Sequence, residues 1–247
     1  MLNYIILGIV QGLTEFLPVS SSGHLLILQQ VLGVSKNQLA ITVILHLGTV
    51  GSLIVFFFKD LLGLAKNFKL LAALFLVTVI TVVIGLAGKD FFENLFVSPK
   101  PVAFALALTG LVLIITKKYS FGKKEDLTLQ DAFILGIAQS IAIIPGISRS
   151  GITVSTLLFR KISPASSFRF SFLAAIPVIF GAAIFETRKI NLALKEDFLF
   201  CFIGFWASFF SGLIALKILK LVLVKAKLYY FGYYCIIIAV ITLIFLK

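Results

Sequence analysis

Apolar residues run almost unbroken along this chain, and the polar ones collect at the joints between runs. Stretches near 39–58, 70–88, 101–116, 166–185, 198–216 and 228–246 each approach the roughly 20 apolar residues with which a helix crosses a bilayer. None alternates with the period of two that a porin strand requires, so the expected elements are helices. Two further apolar stretches, 3–34 and 129–160, are each split near the middle by proline, glycine and serine. Each half is too short to span. Unpaired backbone cannot face lipid, so each stretch predicts a helical hairpin that enters the bilayer and turns back.

The two hairpins resemble each other. "ILGIVQGLTEFLPVSSSGH" (6–24) aligns with "ILGIAQSIAIIPGISRSGI" (134–152) at a constant offset, the proline alone being displaced by one position. Gln11 falls on Gln139, and Ser20, Ser22 and Gly23 fall on Ser148, Ser150 and Gly151. Three spans follow each hairpin, and an odd number per repeat turns the second copy over. The expected fold is an all-α integral membrane domain over 1–247, with six transmembrane helices and two re-entrant hairpins. Its inverted-topology repeats cover about 1–120 and 129–247.

Composition agrees with the pattern. The chain is 60% hydrophobic and 13% charged, with a mean hydropathy of +1.14, which excludes a soluble domain. The net charge of +12 does not point to nucleic acid, because the lysines form short clusters between apolar runs. That is the footprint of loops beside an anionic leaflet, so membrane lipids are the expected partners. The connections opposite the N-terminus carry about twice as many lysines and arginines as those on its own side. This puts them in the cytoplasm and both termini outside, so the two hairpin tips, entering from opposite faces, meet near the midplane. The N-terminal run has no basic residue before Lys36 and is interrupted by Glu15 and Pro18, so it reads as mature structure, not as a signal peptide. Cys201 and Cys235 lie in apolar segments without a CxxC or histidine partner and read as packing residues.

The breaks carry the chemistry. Arg149 sits where the second hairpin turns, among backbone N–H groups at a helix start, and Gly146 and Gly151 let a ligand approach the chain closely. Such a place is an anion site, and phosphate suits the planar guanidinium fork. A structural pair between Arg149 and Glu15 is the other reading, compatible with the first. The first break offers Gln11, Glu15, Ser20, Ser21, Ser22 and His24. Gln11 and Glu15, four apart, share a helical face. Ser21 and His24, three apart across a glycine, can reach one another. A hydroxyl beside a base, opposite an anion hole, is the apparatus of nucleophilic displacement at phosphorus. His46, in "LHLGTVGS", suits close helix packing beside Gly48 and Gly51, with head-group binding as its alternative.

"QGLTEFLPVSSSGH" (11–24) and "PGISRSG" (145–151), the latter followed by Thr153, resemble the two signature motifs of the undecaprenyl-diphosphate phosphatase family, also called the bacitracin-resistance family. The likeness extends over nearly the whole chain. It implies a multi-pass enzyme of the bacterial plasma membrane, its site open to the outer face. Such an enzyme removes the terminal phosphate of a C55 polyprenyl diphosphate. The product is the lipid carrier for peptidoglycan and other wall polymers, and the activity contributes to bacitracin resistance. The resemblance makes Glu15 the essential carboxylate, has Ser21 and His24 act at phosphorus, and gives Ser148, Arg149 and Thr153 to diphosphate binding. Gln11, Ser20, Ser22, Gly146 and Ser150 are the further residues expected to meet the substrate.

The resemblance also implies a divalent cation, Mg2+ or Ca2+, with Glu15 as its ligand. Many relatives have glutamate at both ends of the first motif; here the leading position is Gln11, which could bind a cation only through a neutral oxygen. Two assignments stay open at the reacting phosphorus. Either Ser21 attacks while Glu15 or His24 takes its proton, or His24 attacks and Ser21 holds phosphate. A polyprenyl-phosphate flippase or transporter is the alternative function, because broken helices in inverted repeats are what transporters use. A second copy of the chain, forming a homodimer, is a further candidate partner.

Overall fold

The computed structural model describes residues 1–34, 38–95, 99–118, 122–187, 198–225 and 227–245. The first apolar stretch forms α1 (Leu2–Phe16) and α2 (Ser21–Val31). Helix α1 stops because Leu17 takes the extended conformation (φ −63°, ψ 143°) favoured ahead of a proline, here Pro18. Ser20, at φ +69°, then caps α2 by accepting from Gly23 N–H at 3.4 Å. Next come α3 (Gln38–Phe56), the short α4 (Phe58–Leu64), α5 (Phe68–Ala87), the short α6 (Lys89–Leu95) and α7 (Pro99–Ile115).

The second broken stretch repeats the first. Helix α8 (Leu129–Ile141) opens on a capping box between Thr128 and Asp131. The chain turns through Pro145 and Gly146, and Ser148 caps α9 (Arg149–Phe159) by accepting from Gly151 N–H at 3.1 Å. Helices α10 (Pro164–Thr187), α11 (Phe198–Val224) and α12 (Tyr229–Phe245) complete the chain. Among the described residues, five segments are long and apolar enough to cross a membrane: Gln38–Phe56, Phe68–Ala87, Lys100–Lys118, Pro164–Thr187 and Leu199–Val224. Where the sixth span was expected, α12 is a shorter apolar helix of 17 residues. Among the described residues there is no strand beyond one bridge between Lys124 and Ile162.

Helix α11 runs past the expected end at 216, because Lys217 and Lys220 are exposed while Leu216, Leu219 and Leu223 continue its buried face. Helix α1 packs on α11 and α8 on α5; α3 packs on α11 and α5 on α10; α7 lies along α12 and α3 against α10. Small residues set these distances. A Cβ on Gly12 would lie 2.0 Å from Ser211 Oγ and 2.3 Å from Ser208 O, so α1 and α11 touch backbone to backbone. Gly110 and Gly232 do the same for α7 and α12, each 2.7 Å from the other's carbonyl by that measure. Under the two breaks lies an aromatic cluster, with Phe172 5.6 Å from Phe16 and 5.0 Å from Phe168 between ring centroids. Large apolar side chains such as Phe75, Phe104, Leu221 and Ile237 point outward. A lipid surround makes such a surface on α5, α7, α11 and α12 favourable.

Candidate active site

The two breaks touch. Gly146 N–H donates to Ser22 Oγ at 3.4 Å, and Ser150 Oγ donates to the Leu17 carbonyl at 3.3 Å. Thr109 on α7 steadies the second break, donating to Gly146 O at 3.2 Å and accepting from Ser148 N–H at 3.0 Å. Gly146 is at φ +95°, and a Cβ there would stand 2.3 Å from Val102 O, so only glycine fits.

Glu15 is the hub. Its Oε1 accepts from Arg149 Nη2 at 2.7 Å. Its Oε2 accepts from Ser21 Oγ at 2.5 Å and from Gln11 Nε2 at 3.1 Å. His46 Nε2 faces Oε2 at 3.6 Å. Arg149 lies over the Phe172 ring, 5.6 Å from its centroid, and its buried Nη1 has no protein hydrogen-bond partner. One edge of the guanidinium therefore holds the carboxylate, and the other remains for an anion.

His24 is turned elsewhere. Its Nδ1 is 2.8 Å from the Ser20 carbonyl, which can only accept, so Nδ1 carries the proton. Its Nε2 then accepts from Tyr234 O–H at 2.8 Å, with the two rings stacked. Thr153 is fully buried, bonding to Arg149 O at 2.7 Å and to Ser171 Oγ at 2.6 Å, and so braces the turn that carries Arg149. Gln11 and Ser150 are also buried.

A cavity of about 1100 Å³ opens above this cluster. Glu15, Ser21, His46, Ser148 and Arg149 belong to its polar end, and Leu25, Val43, Ile143 and Ile179 to its apolar walls. It extends between α2, α3 and α10 as far as Val34, Leu39 and Glu186. Its mouth thus lies on the face where α2 and α10 end and α3 begins. The opposite end is tied by charge. Buried Asp131 accepts from Arg160 Nε at 2.9 Å, from Lys124 and from Thr128, which joins the base of α8 to the end of α9. Burial alone would raise the Asp131 carboxyl, but these bonds outweigh it and hold the group well below the usual carboxylate range.

The family description "Bacitracin resistance protein BacA" matches residues 4–241. The chain belongs to this family. An undecaprenyl-diphosphatase from Carboxydothermus hydrogenoformans is 41% identical over 97% of this chain and 95% of its own length. One from Halothermothrix orenii is 42% identical over 97% and 96%, and one from Thermotoga petrophila 38% identical over 96% and 98%. With its apolar helices, this BacA-family chain is a multi-pass membrane protein.

Of Glu15, Ser21, His24 and Arg149, the residues expected to do the chemistry, the structure brings Glu15, Ser21 and Arg149 together and turns His24 to Tyr234, while His46 joins the cluster. On α3, Gln38, Thr42, His46, Thr49 and Ser52 recur at spacings of three and four and mark one polar face, on which His46 Nδ1 bonds to the Thr42 carbonyl at 2.8 Å. Thr109 is a lone hydroxyl in the apolar body of α7, and Tyr234 is one of four tyrosines at the start of α12, so nothing in the sequence marks either.

For a divalent cation the donors are few. Among the described residues no group of three histidine, cysteine or acidic side chains comes together. A hard cation wants about six oxygens. Glu15 fits as the single carboxylate of a cation held largely by diphosphate oxygens, not as part of a protein cage. Gln11 turns its Nε2 toward Glu15 and leaves its buried Oε1 without a hydrogen-bond partner.

Proposed function

We propose that this protein is an undecaprenyl-diphosphatase, cleaving the lipid diphosphate to undecaprenyl phosphate and inorganic phosphate and so returning the carrier for wall-polymer synthesis. The observation that carries this reading is Ser21 donating at 2.5 Å to a carboxylate that also holds Arg149. A nucleophile, its base and an anion clamp occupy one end of a cavity whose walls suit a polyprenyl chain. The same reading places two re-entrant hairpins and six spans in the membrane as an inverted repeat. The reciprocal packing of α1 on α11 and α8 on α5 supports this. Both termini and the cavity mouth then face outward.

In this mechanism Arg149 Nη1, Ser148 and nearby N–H groups bind the diphosphate oxygens and stabilise charge as it moves. Ser21 Oγ attacks the terminal phosphorus and its proton passes to Glu15 Oε2. The bond from that phosphorus to the bridging oxygen breaks, and undecaprenyl phosphate leaves. Glu15 releases that proton to solvent. Water then attacks the phosphoserine and gives a proton to Glu15, which passes it to Ser21 Oγ as the P–O bond to Ser21 breaks and inorganic phosphate leaves. A bound divalent cation, held by Glu15 and diphosphate oxygens, would neutralise charge on the departing phosphate. His24 could attack only after its Nε2 left Tyr234, which favours Ser21.

Phosphate release from undecaprenyl diphosphate by purified protein in detergent tests the reading. Release by wild type, and its loss in Glu15→Ala, Ser21→Ala and Arg149→Ala, is the expected result. Lipid transfer without phosphate release would establish the transporter instead.

A further inference from the structure

Two groups of basic residues differ on the face opposite the cavity mouth. In one the charge is answered within the chain: Lys124 and Arg160 bind Asp131, and Arg169 binds Asp60 at 2.6 Å. The other lies where α7 ends, a few residues before Lys124, and α12 begins. Gly110 and Gly232 bring α7 and α12 into close contact, so the turn Thr116–Lys118 stands beside the link from α11 to α12. Lys117 Nζ is 5.1 Å from the centroid of the Tyr229 ring, and Lys225 and Lys227 lie on that link. Lys117, Lys118, Lys225 and Lys227 are all exposed, and among the described residues none of them is in an ion pair. The chain has no Asp or Glu between 94 and 125 or after 197, so α7, α11 and α12 have no carboxylate to offer. The Tyr229 ring steadies the Lys117 ammonium without cancelling its charge. Four like charges gathered in this way favour an anion among them.

An apolar stripe leads away from this charged end along each helix. Leu108, Leu111 and Ile115 on α7, and Tyr233, Ile237 and Ile241 on α12, are exposed and recur at spacings of three and four. We infer that the junction of α7 and α12 is a binding site for one anionic diacyl phospholipid, with its phosphodiester between Lys117 and Lys227 and its acyl chains on the two stripes. Basic clusters at a membrane surface attract anionic lipid; two apolar stripes below the cluster suit a lipid of two chains, not a single polyprenyl chain. The site is remote from Arg149 and Glu15, and the inference does not depend on the diphosphatase reading.

Protein in neutral detergent is titrated with phosphatidylglycerol, or with phosphatidylcholine of the same acyl chains, and bound lipid is counted by native mass spectrometry. Wild type is expected to hold one phosphatidylglycerol at least about ten-fold more tightly than phosphatidylcholine. Lys117→Gln/Lys227→Gln should lose that preference. Lys59→Gln/Lys66→Gln, which removes the same charge near Asp60, should keep it. Phosphatidylglycerol with a photoreactive diazirine in its acyl chain should label peptides of α7 and α12 in the unaltered chain, so the result does not hang on a variant alone. No preference in wild type, a preference that survives Lys117→Gln/Lys227→Gln, equal loss in both double variants, or labelling confined to the cavity helices α2, α3 and α10 overturns the site. Displacement of the bound phosphatidylglycerol by an equimolar amount of undecaprenyl phosphate overturns the diacyl occupant.

Discussion

Arg149 and Glu15 stand 134 positions apart in the chain and meet through a 2.7 Å hydrogen bond where two helical breaks come together. The guanidinium serves the carboxylate with Nη2, and its buried Nη1, without a protein partner, is the nitrogen that the proposed mechanism gives to the substrate. Lysine has the charge but a single nitrogen, so it cannot serve both at fixed angles. Arg149→Lys is expected to lower kcat for phosphate release about 10²-fold, the usual loss when a transition-state clamp is removed.

Ser21 and Glu15 act as one unit in the proposed first step. Ser21→Ala and Glu15→Gln should each reduce kcat by about 10³-fold, and the double variant should lose little more than either alone. Additive losses would mean that the two residues serve separate steps.

The nucleophile can be read directly. Rapid quenching and peptide mapping should find phosphate on Ser21. Tyr234→Phe, which removes only the bond to His24 Nε2, should change turnover by no more than about fivefold, the equivalent of one neutral hydrogen bond near 1 kcal/mol. Acid-labile phosphate on His24 would reverse the assignment.

Gly12 tests the packing of α1. A Cβ 2.3 Å from the Ser208 carbonyl meets backbone, which cannot rotate aside. Gly12→Ala should cost at least about 2 kcal/mol and lower the thermal midpoint in detergent by about 4–8 °C.

Asp131 governs acid stability at the far end of the bundle. Its folded-state pKa is depressed, so its contribution is complete above the unfolded value near 4 and is lost as pH falls through the lower, folded value. Asp131→Asn should cost about 3 kcal/mol at pH 7. The gap in thermal midpoint between variant and wild type should narrow as pH is lowered from about 5 toward 2.

Much of this arrangement could be read in the chain because lipid leaves few choices. Proline, glycine and serine clustered in an apolar run, as at 18–23 and 145–151, break it, whereas the lone Pro177 stays inside α10; an arginine in such a break must be held. The 2.7 Å pair of Arg149 with Glu15 meets that expectation. What could not be read is which element each polar group meets. Helix α3 has a polar stripe through Gln38, Thr42, His46, Thr49 and Ser52, but the stripe does not name Glu15 as the group that His46 faces. The nearness of His24 to Ser21 suggested a pair, but Tyr234, on the last helix, occupies its Nε2.

The crossed bonds of the breaks, Gly146 to Ser22 and Ser150 to Leu17, have a mechanical result. Withdrawing either tip would strand a peptide N–H and a carbonyl far from water, a penalty of several kcal/mol. The paired tips therefore behave as a single keystone, and any swing of this protein between leaflets has to carry both together or sever both at once.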